Sequence, residues 1–163
     1  MNKIGQRAEG LGLREADAKD AALLLRLMKT AFQEYEGALD PPTGAHNETI
    51  ETVRRRLTAG AAAIASVDGE PVGFAFYERD ADLLYFGRLS VLPEWRKKGV
   101  GTALLDYVER NARETGMPGV KLGVRLQLPH LIARYQRLGY RISTYMTHPG
   151  YEKPTFVYME KRF

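Results

Sequence analysis

The chain has no cysteine, which excludes disulfides, a thiolate nucleophile and thiolate metal sites. Histidine is almost as scarce. The three present, His46, His130 and His148, show no ligand spacing, so no metal is expected. No apolar run approaches the ~18 residues that span a bilayer, and no membrane partner is expected. The opening stretch, MNKIGQRAEG, lacks the apolar core of a secretory leader, which points to the cytoplasm. Repeats, low-complexity tracts and linker composition are also missing, so residues 1–163 read as one domain. A strong charge excess is absent as well. The net charge of +4 tolerates an anionic ligand but is too mild to imply nucleic acid. The RRR run at 54–56 has acidic and apolar neighbours on its helix and reads as a solvated face.

What is present is an ordinary globular composition, 44% hydrophobic and 27% charged. The stretch LGLREA at 11–16 predicts a strand, with Asp17 capping the helix that follows. In that helix Leu24, Leu27, Met28, Ala31, Phe32 and Tyr35 form one apolar stripe of period 3.6. Pro-Pro and two glycines make 37–47 a loop. A second helix begins at Asn47 or Thr49 and stops at Gly60. AAAIASV, the turn DGE and PVGFAFYER predict a hairpin. DLLYFGRLSVL is a longer strand ending before Pro93, and a helix follows over 100–115. Its buried stripe is Val100, Ala103, Leu104, Tyr107, Val108 and Ala112. A strand at 120–126, a helix from Pro129 to Gly139, and two last strands joined by HPGYEKP complete the order β-α-α-β-β-β-α-β-α-β-β. Hairpins imply antiparallel pairing, and the β-α-β stretch over 83–126 is long enough for a parallel crossover. The fold class is therefore α/β, an α+β mixed sheet with helices on both faces.

One short segment asks for a ligand. WRKKGVG places three cations and two glycines between a strand and a helix start. The first N–H groups of a helix have no internal partner and carry the positive end of its dipole. Gly99 and Gly101 let the backbone approach a phosphate closely. Arg96, Lys97 and Lys98 add cations at its mouth. A solvated helix cap is the competing reading of this segment. A P-loop would need G-x-x-x-x-G-K-[ST], and a dinucleotide fingerprint would need glycine where Leu104 stands.

LSVLPEWRKKGVGTALL resembles motif A of the GNAT superfamily of N-acetyltransferases, [RQ]-x-x-G-x-[GA] after a strand ending x-V-x-P. Arg96, Gly99 and Gly101 fill its fixed positions. LIARYQRLGY is similar to motif B of the same superfamily, with Tyr135, Gly139 and Tyr140 matching. Both motifs occur in order on the right elements, and the element order agrees along essentially the whole chain. The resemblance implies acetyl-CoA as acyl-donor co-substrate, an amine of a small molecule or peptide as acceptor, no metal, and a possible homodimer. It also implies a bulge in the fourth strand and a cleft beside it. The pyrophosphate would sit on the amides of Lys97, Lys98, Gly99, Val100, Gly101 and Thr102, and the pantetheine arm along Leu89, Ser90 and Val91. An amide near Val91 would face the developing oxyanion. Tyr135 would protonate the leaving thiolate; its alternative role is core packing. Tyr140 reads as strand packing. The sequence departs from the family at Leu128, where an asparagine often contacts the coenzyme; backbone or Arg134 would have to replace it.

The acceptor end is read less sharply. Tyr35, Glu36, His46, Tyr77, Tyr85, Arg125, Tyr145, His148 and Tyr151 are the candidates for a small pocket, with Arg125 as a carboxylate partner. Glu36, Asp40, Asp82, Glu94, His46 and His148 are open candidates for the general base, beside deprotonation relayed by water. A coenzyme-binding sensor without turnover is the alternative function.

Overall fold

The computed structural model describes residues 8–163. The segment MNKIGQR, read above for a leader, lies outside the described residues. Seven strands and four α-helices alternate along the chain: β1 (Leu11–Glu15), α1 (Ala21–Phe32), α2 (Ile50–Ala59), β2 (Ala61–Val67), β3 (Glu70–Asp80), β4 (Leu83–Val91), α3 (Val100–Glu114), β5 (Gly119–Arg125), α4 (Pro129–Arg137), β6 (Arg141–Met146) and β7 (Phe156–Arg162). This is the order expected from the sequence.

The strands form one sheet in the order β1-β2-β3-β4-β5-β7-β6, antiparallel except for β4 against β5. Period-two alternation sorts side chains to its faces. On β2, Ala62 and Ile64 point to α1 and α2, while Ala63, Ala65 and Val67 join the core beneath α3. Phe74 and Ile64, fully buried, anchor the first of these layers against Leu24 and Met28 of α1. Burying such a side chain contributes roughly 1.5–3 kcal/mol. In α3 the expected stripe is buried except for Tyr107, which is half-buried and packs edge-on to Tyr77; Leu105 is buried in addition.

Local chemistry sets the element ends. Asp17 caps, but the turn it caps is a single 3₁₀ turn (Ala18–Asp20) ahead of α1. There its side chain accepts from Lys19 N at 2.8 Å while Asp20 accepts from Asp17 N. Thr49, not Asn47, is the cap of α2, paired reciprocally with Thr52. Asp68 and Gly69 both have positive φ in the β2–β3 turn, as a tight hairpin requires. Phe32 and Tyr35, the end of the expected α1 stripe, are only partly buried because the helix gives way to a 3₁₀ turn at Gln33.

Two irregularities open the sheet. Phe74 and Phe76 of β3 pair with Ser90 and Gly87 of β4, so β4 carries one extra residue there, a bulge with Arg88 at φ +53°. The parallel pairing of β4 and β5 is confined to Leu84↔Val120, Tyr85↔Lys121 and Phe86↔Leu122. Beyond Phe86 the strands diverge.

Candidate active site

The divergence leaves a cleft of about 930 Å³, walled by β4, β5, the start of α3, α4 and the segment after α1. It gathers most of the residues singled out from the sequence. Leu89 and Val91 on β4, Arg96, Lys97, Gly99, Val100, Gly101 and Thr102 at the head of α3, and Arg134 and Tyr135 on α4 all line it. Ser90 does not; it is fully buried and its hydroxyl donates to the Arg88 carbonyl at 2.8 Å, within the bulge. Lys98 also lies outside, with its ammonium 4.8 Å above the Trp95 ring.

The head of α3 is built for close backbone approach. Lys97 and Gly99 are both left-handed, at φ +60° and +79°. Gly99 is the N-cap and offers no side chain to the helix N–H groups, so those groups face the cleft without a protein cap. A Cβ on Gly101 would lie 2.9 Å from the Arg134 guanidinium and 3.5 Å from Leu89. This bare backbone, with a cation over it, fits an anionic group. Arg96, expected as a mobile cation, is instead a tether. It pairs with Glu34 at 2.7 Å and donates to the Ala31 carbonyl at 2.9 Å, fastening the end of α1 to the loop.

Tyr135 is 7% exposed, and its ring meets Tyr140 edge-on at 5.9 Å. Burial raises its phenol above the usual value, with Arg134 opposing. The hydroxyl has no hydrogen-bond partner among the described residues, and the residue lines the cleft. Tyr140 is a packing residue, as expected; its hydroxyl donates to Glu109 at 3.0 Å. Leu128 lines the cleft where the family asparagine is expected, and its N–H donates to the Arg125 carbonyl at 3.0 Å.

Of the acceptor candidates, Tyr35, Tyr85, Arg125 and His148 join the cleft wall. Burial raises the Tyr85 phenol. Arg125 donates to the carbonyls of Pro41 and Pro42 at 2.7 and 3.1 Å, so it clamps the 37–47 loop. His148 contacts the Thr155 hydroxyl and packs 4.8 Å from the Phe156 ring; burial, then Arg125, lowers its pKa. The remaining acceptor and base candidates lie elsewhere. Tyr77 faces α3 and donates to Glu15 at 3.2 Å. Tyr145 is 59% exposed, and Asp82 pairs with Arg162 at the surface. Glu36 and Glu94 are exposed and outside the cleft. Asp40 accepts the Tyr151 hydroxyl at the rim. His46 is outside too, with Nε2 buried and unpartnered.

Two residues that the sequence reading passed over matter here. Glu48, 7% exposed, accepts from Arg56 at 3.0 Å and from Arg88 at 3.2 Å. Burial pushes its carboxyl up, but the arginines outweigh it and hold the pKa below the ordinary value. Arg88 itself stands on the cleft wall. The one available signal was an arginine interrupting the apolar run LLYFGRLSVL.

A mixed sheet split at a parallel pair, with the split leading to an uncapped helix start, defines an α/β protein with a cleft for a long ligand bearing an anionic group. The sequence matches the profile of the Acetyltransferase (GNAT) family over residues 23–140, and the chain belongs to that family. It is 35% identical over 102 residues to the mycothiol acetyltransferase of Nocardiopsis dassonvillei, a match covering 61% of this chain and 30% of that protein. The chain thus spans under a third of the length of that relative. Among solved structures, it superimposes on PaiA N-acetyltransferase from Thermoplasma acidophilum in complex with coenzyme A with a TM-score of 0.77, 17% identity, and coverage of 94% and 99% of the two chains. For the ribosomal-protein-S18-alanine N-acetyltransferase of Escherichia coli the TM-score is 0.74, with 19% identity and 93% coverage of each chain. At these identities it is the fold that is shared.

Proposed function

We propose that this chain is an acetyl-CoA-dependent N-acetyltransferase, one domain over 1–163, that moves an acetyl group to an amine by direct attack. The observation that carries this reading is the continuity of one cleft from the splayed end of β4 to the uncapped start of α3. Residues of both family motifs share its wall.

In this reading the amides from Gly99 to Thr102, with Lys97 and Arg134, hold the pyrophosphate. Val100 supports them from the core. The β5-facing backbone of β4 beyond Phe86, having no strand partner, binds the pantetheine arm through Leu89 and Val91; buried Ser90 only braces the bulge. Acetyl-CoA supplies the activated carbonyl. A β4 N–H near Val91 is the donor for the oxyanion. The acceptor ammonium must shed a proton before its nitrogen attacks. Of the six bases named from the sequence, His148 is the one on the cleft wall, and its lowered pKa keeps the imidazole neutral at pH 7. Tyr135 gives its phenolic proton to the leaving thiolate sulfur. A raised pKa keeps that proton on the phenol until it is needed. The unengaged Tyr135 hydroxyl favours turnover over a binding-only module.

The test is thermal stabilisation by acetyl-CoA, with CoA, NAD and ATP alongside. Ligand held by the folded state adds about 2.7 kcal/mol of stability at a hundredfold excess over Kd, and Tm rises with it. A rise with acetyl-CoA and CoA alone is expected. No rise with either refutes the assignment.

A further inference from the structure

The cleft wall carries cations beyond those the coenzyme reading uses. Lys97 and Arg134 stand at the head of α3. Arg88 and Arg125 stand elsewhere, one on each of the two strands that splay. Both reach the segment connecting α1 and α2: Arg88 pairs with Glu48 and lies against Gly44, while Arg125 binds the carbonyls of Pro41 and Pro42. Leu89, beside Gly101, packs into the core under α3, whereas Arg88 turns to Glu48 and Gly44 on the side of α1 and α2. The second group is thus separate from the phosphate end.

Its charges do not balance. Glu48 is shared between Arg56 and Arg88. Arg125 has no ion pair within 4.0 Å among the described residues; its hydrogen-bond acceptors are neutral carbonyls, and Arg88 is near enough to disfavour its charge. Asp40 is the carboxylate that acts on Arg125, and it is engaged by the Tyr151 hydroxyl. Arg56, Arg88 and Arg125 thus stand against Glu48 and Asp40, and the next carboxylate, Asp80, is taken by Lys121 at 3.2 Å, which leaves one positive charge in excess in a part-buried site. An uncompensated cation withdrawn from water is costly, and a bound anion removes that cost. Arg88 also keeps hydrogen-bonding capacity: Glu48 takes its Nε, while no acceptor among the described residues engages its terminal nitrogens. A side chain at position 44 would close this space, since a Cβ there would come within 2.7 Å of Arg88 Nη2. Arg88 is held at φ +53°, a conformation a non-glycine residue adopts only where its surroundings enforce it.

We infer that the acceptor is a small amine that also carries a carboxylate, and that Arg88 and Arg125 bind that carboxylate across the mouth of the splayed strands. The geometry of a planar guanidinium matches a carboxylate through two parallel N–H donors. Tyr85, Phe156 and His148 line the same cleft as Arg88, Arg125 and Tyr135, so an amine can reach the thioester while its carboxylate stays with the arginines. This inference rests on the acetyltransferase reading above.

The experiment compares matched acceptors by following release of free CoA with a thiol reagent, to which the cysteine-free chain adds no background. Each free amino acid is paired with its carboxamide and its decarboxylated amine. Short peptides with Asp or Glu in second place form a separate arm, which tells a main-chain carboxylate from a side-chain one. The expected result is kcat/KM at least about 100-fold higher for a carboxylate-bearing amine than for its amide, the scale of one charge-assisted hydrogen-bond pair. Arg88→Gln should bring that ratio to within about threefold of one, Arg88→Lys should keep part of it, and acetyl-CoA affinity measured by calorimetry should hold in both. Amides or simple amines turning over as fast as the acids in the unaltered protein overturn the inference, and that comparison needs no variant to fold. Acetyl-CoA binding without turnover of any carboxylate-bearing amine overturns it too, while leaving the coenzyme assignment standing. Failure to bind acetyl-CoA refutes the underlying reading instead.

Discussion

Replacing Tyr135 with phenylalanine removes a single oxygen from the cleft wall, and the structure separates its chemical cost from its structural one. The ring is 7% exposed and packs edge-on against Tyr140 at 5.9 Å; phenylalanine preserves both. The hydroxyl has no partner among the described residues, so its loss orphans no donor or acceptor among them. Folding stability should therefore change by less than about 0.5 kcal/mol, or roughly 2 °C in Tm for a chain of this length. Turnover is another matter. A positioned general acid contributes roughly 10²–10⁴-fold, equivalent to about 3–5 kcal/mol of transition-state stabilisation. Steady-state kinetics with an amine acceptor should show kcat falling at least a hundredfold, and calorimetry should show coenzyme affinity within about threefold of the parent. Burial raises the phenol pKa, so the parent should keep its activity well into alkaline pH before the acid ionises. A Tyr135→Phe protein with intact Tm and unchanged kcat would refute the acid role and leave the residue as packing alone.

Other changes probe the remaining parts. Gly101→Asp puts a carboxylate at the head of α3, beside the Arg134 guanidinium 2.9 Å from the new Cβ. Arg134 would neutralise it, the phosphate would lose that cation and meet a like charge, and calorimetry should show coenzyme affinity down by about 100-fold; an affinity within threefold refutes the cradle. Glu48→Gln leaves Arg56 and Arg88 without their shared anion. Both arginines are part-exposed, at 37% and 26%, so the loss should be about 2 kcal/mol rather than the full cost of a buried pair. The sign with pH follows from the lowered pKa of Glu48. Its stabilisation is complete above the unfolded carboxyl value of 4.5 and fades as pH falls through the lower folded value, so urea titrations of parent and variant should converge on acidification. A gap that does not narrow as pH falls below 4.5, or none at pH 7, contradicts the pairing.

What could be read in advance was local. The α3 stripe, the Asp-Gly hairpin turn, the Pro129 start of α4 and the glycines of RKKGVG each act within a few residues, where period and turn chemistry are decisive. What could not be read depended on distant partners. Nothing near Arg96 announces that it reaches back 65 positions to the Ala31 carbonyl. Glu48 looks like an ordinary residue ahead of a helix cap until Arg88, 40 positions on, closes against it. The insertion of β7 between β5 and β6 is a pairing choice that hydrophobic alternation leaves open, because β6 and β7 alternate in any order. Base candidates such as Asp82 and Glu94 were adjacent to the right strand in sequence, yet Asp82 is taken by Arg162 at the far end of β4 and Glu94 faces solvent from the turn after it. The bulge at Arg88 was expected from family resemblance alone; no residue pattern in β4 specifies it.

The narrow β4–β5 pairing has a mechanical consequence. The sheet consists of two antiparallel blocks, β1 to β4 and β5 to β7, sewn together by three residue pairs and strapped by α3. Force that pries the blocks apart meets its least resistance along that seam. A molecule lying in the split touches both blocks at once, so it works as a rivet: occupancy stiffens the molecule where the polypeptide alone holds it most weakly.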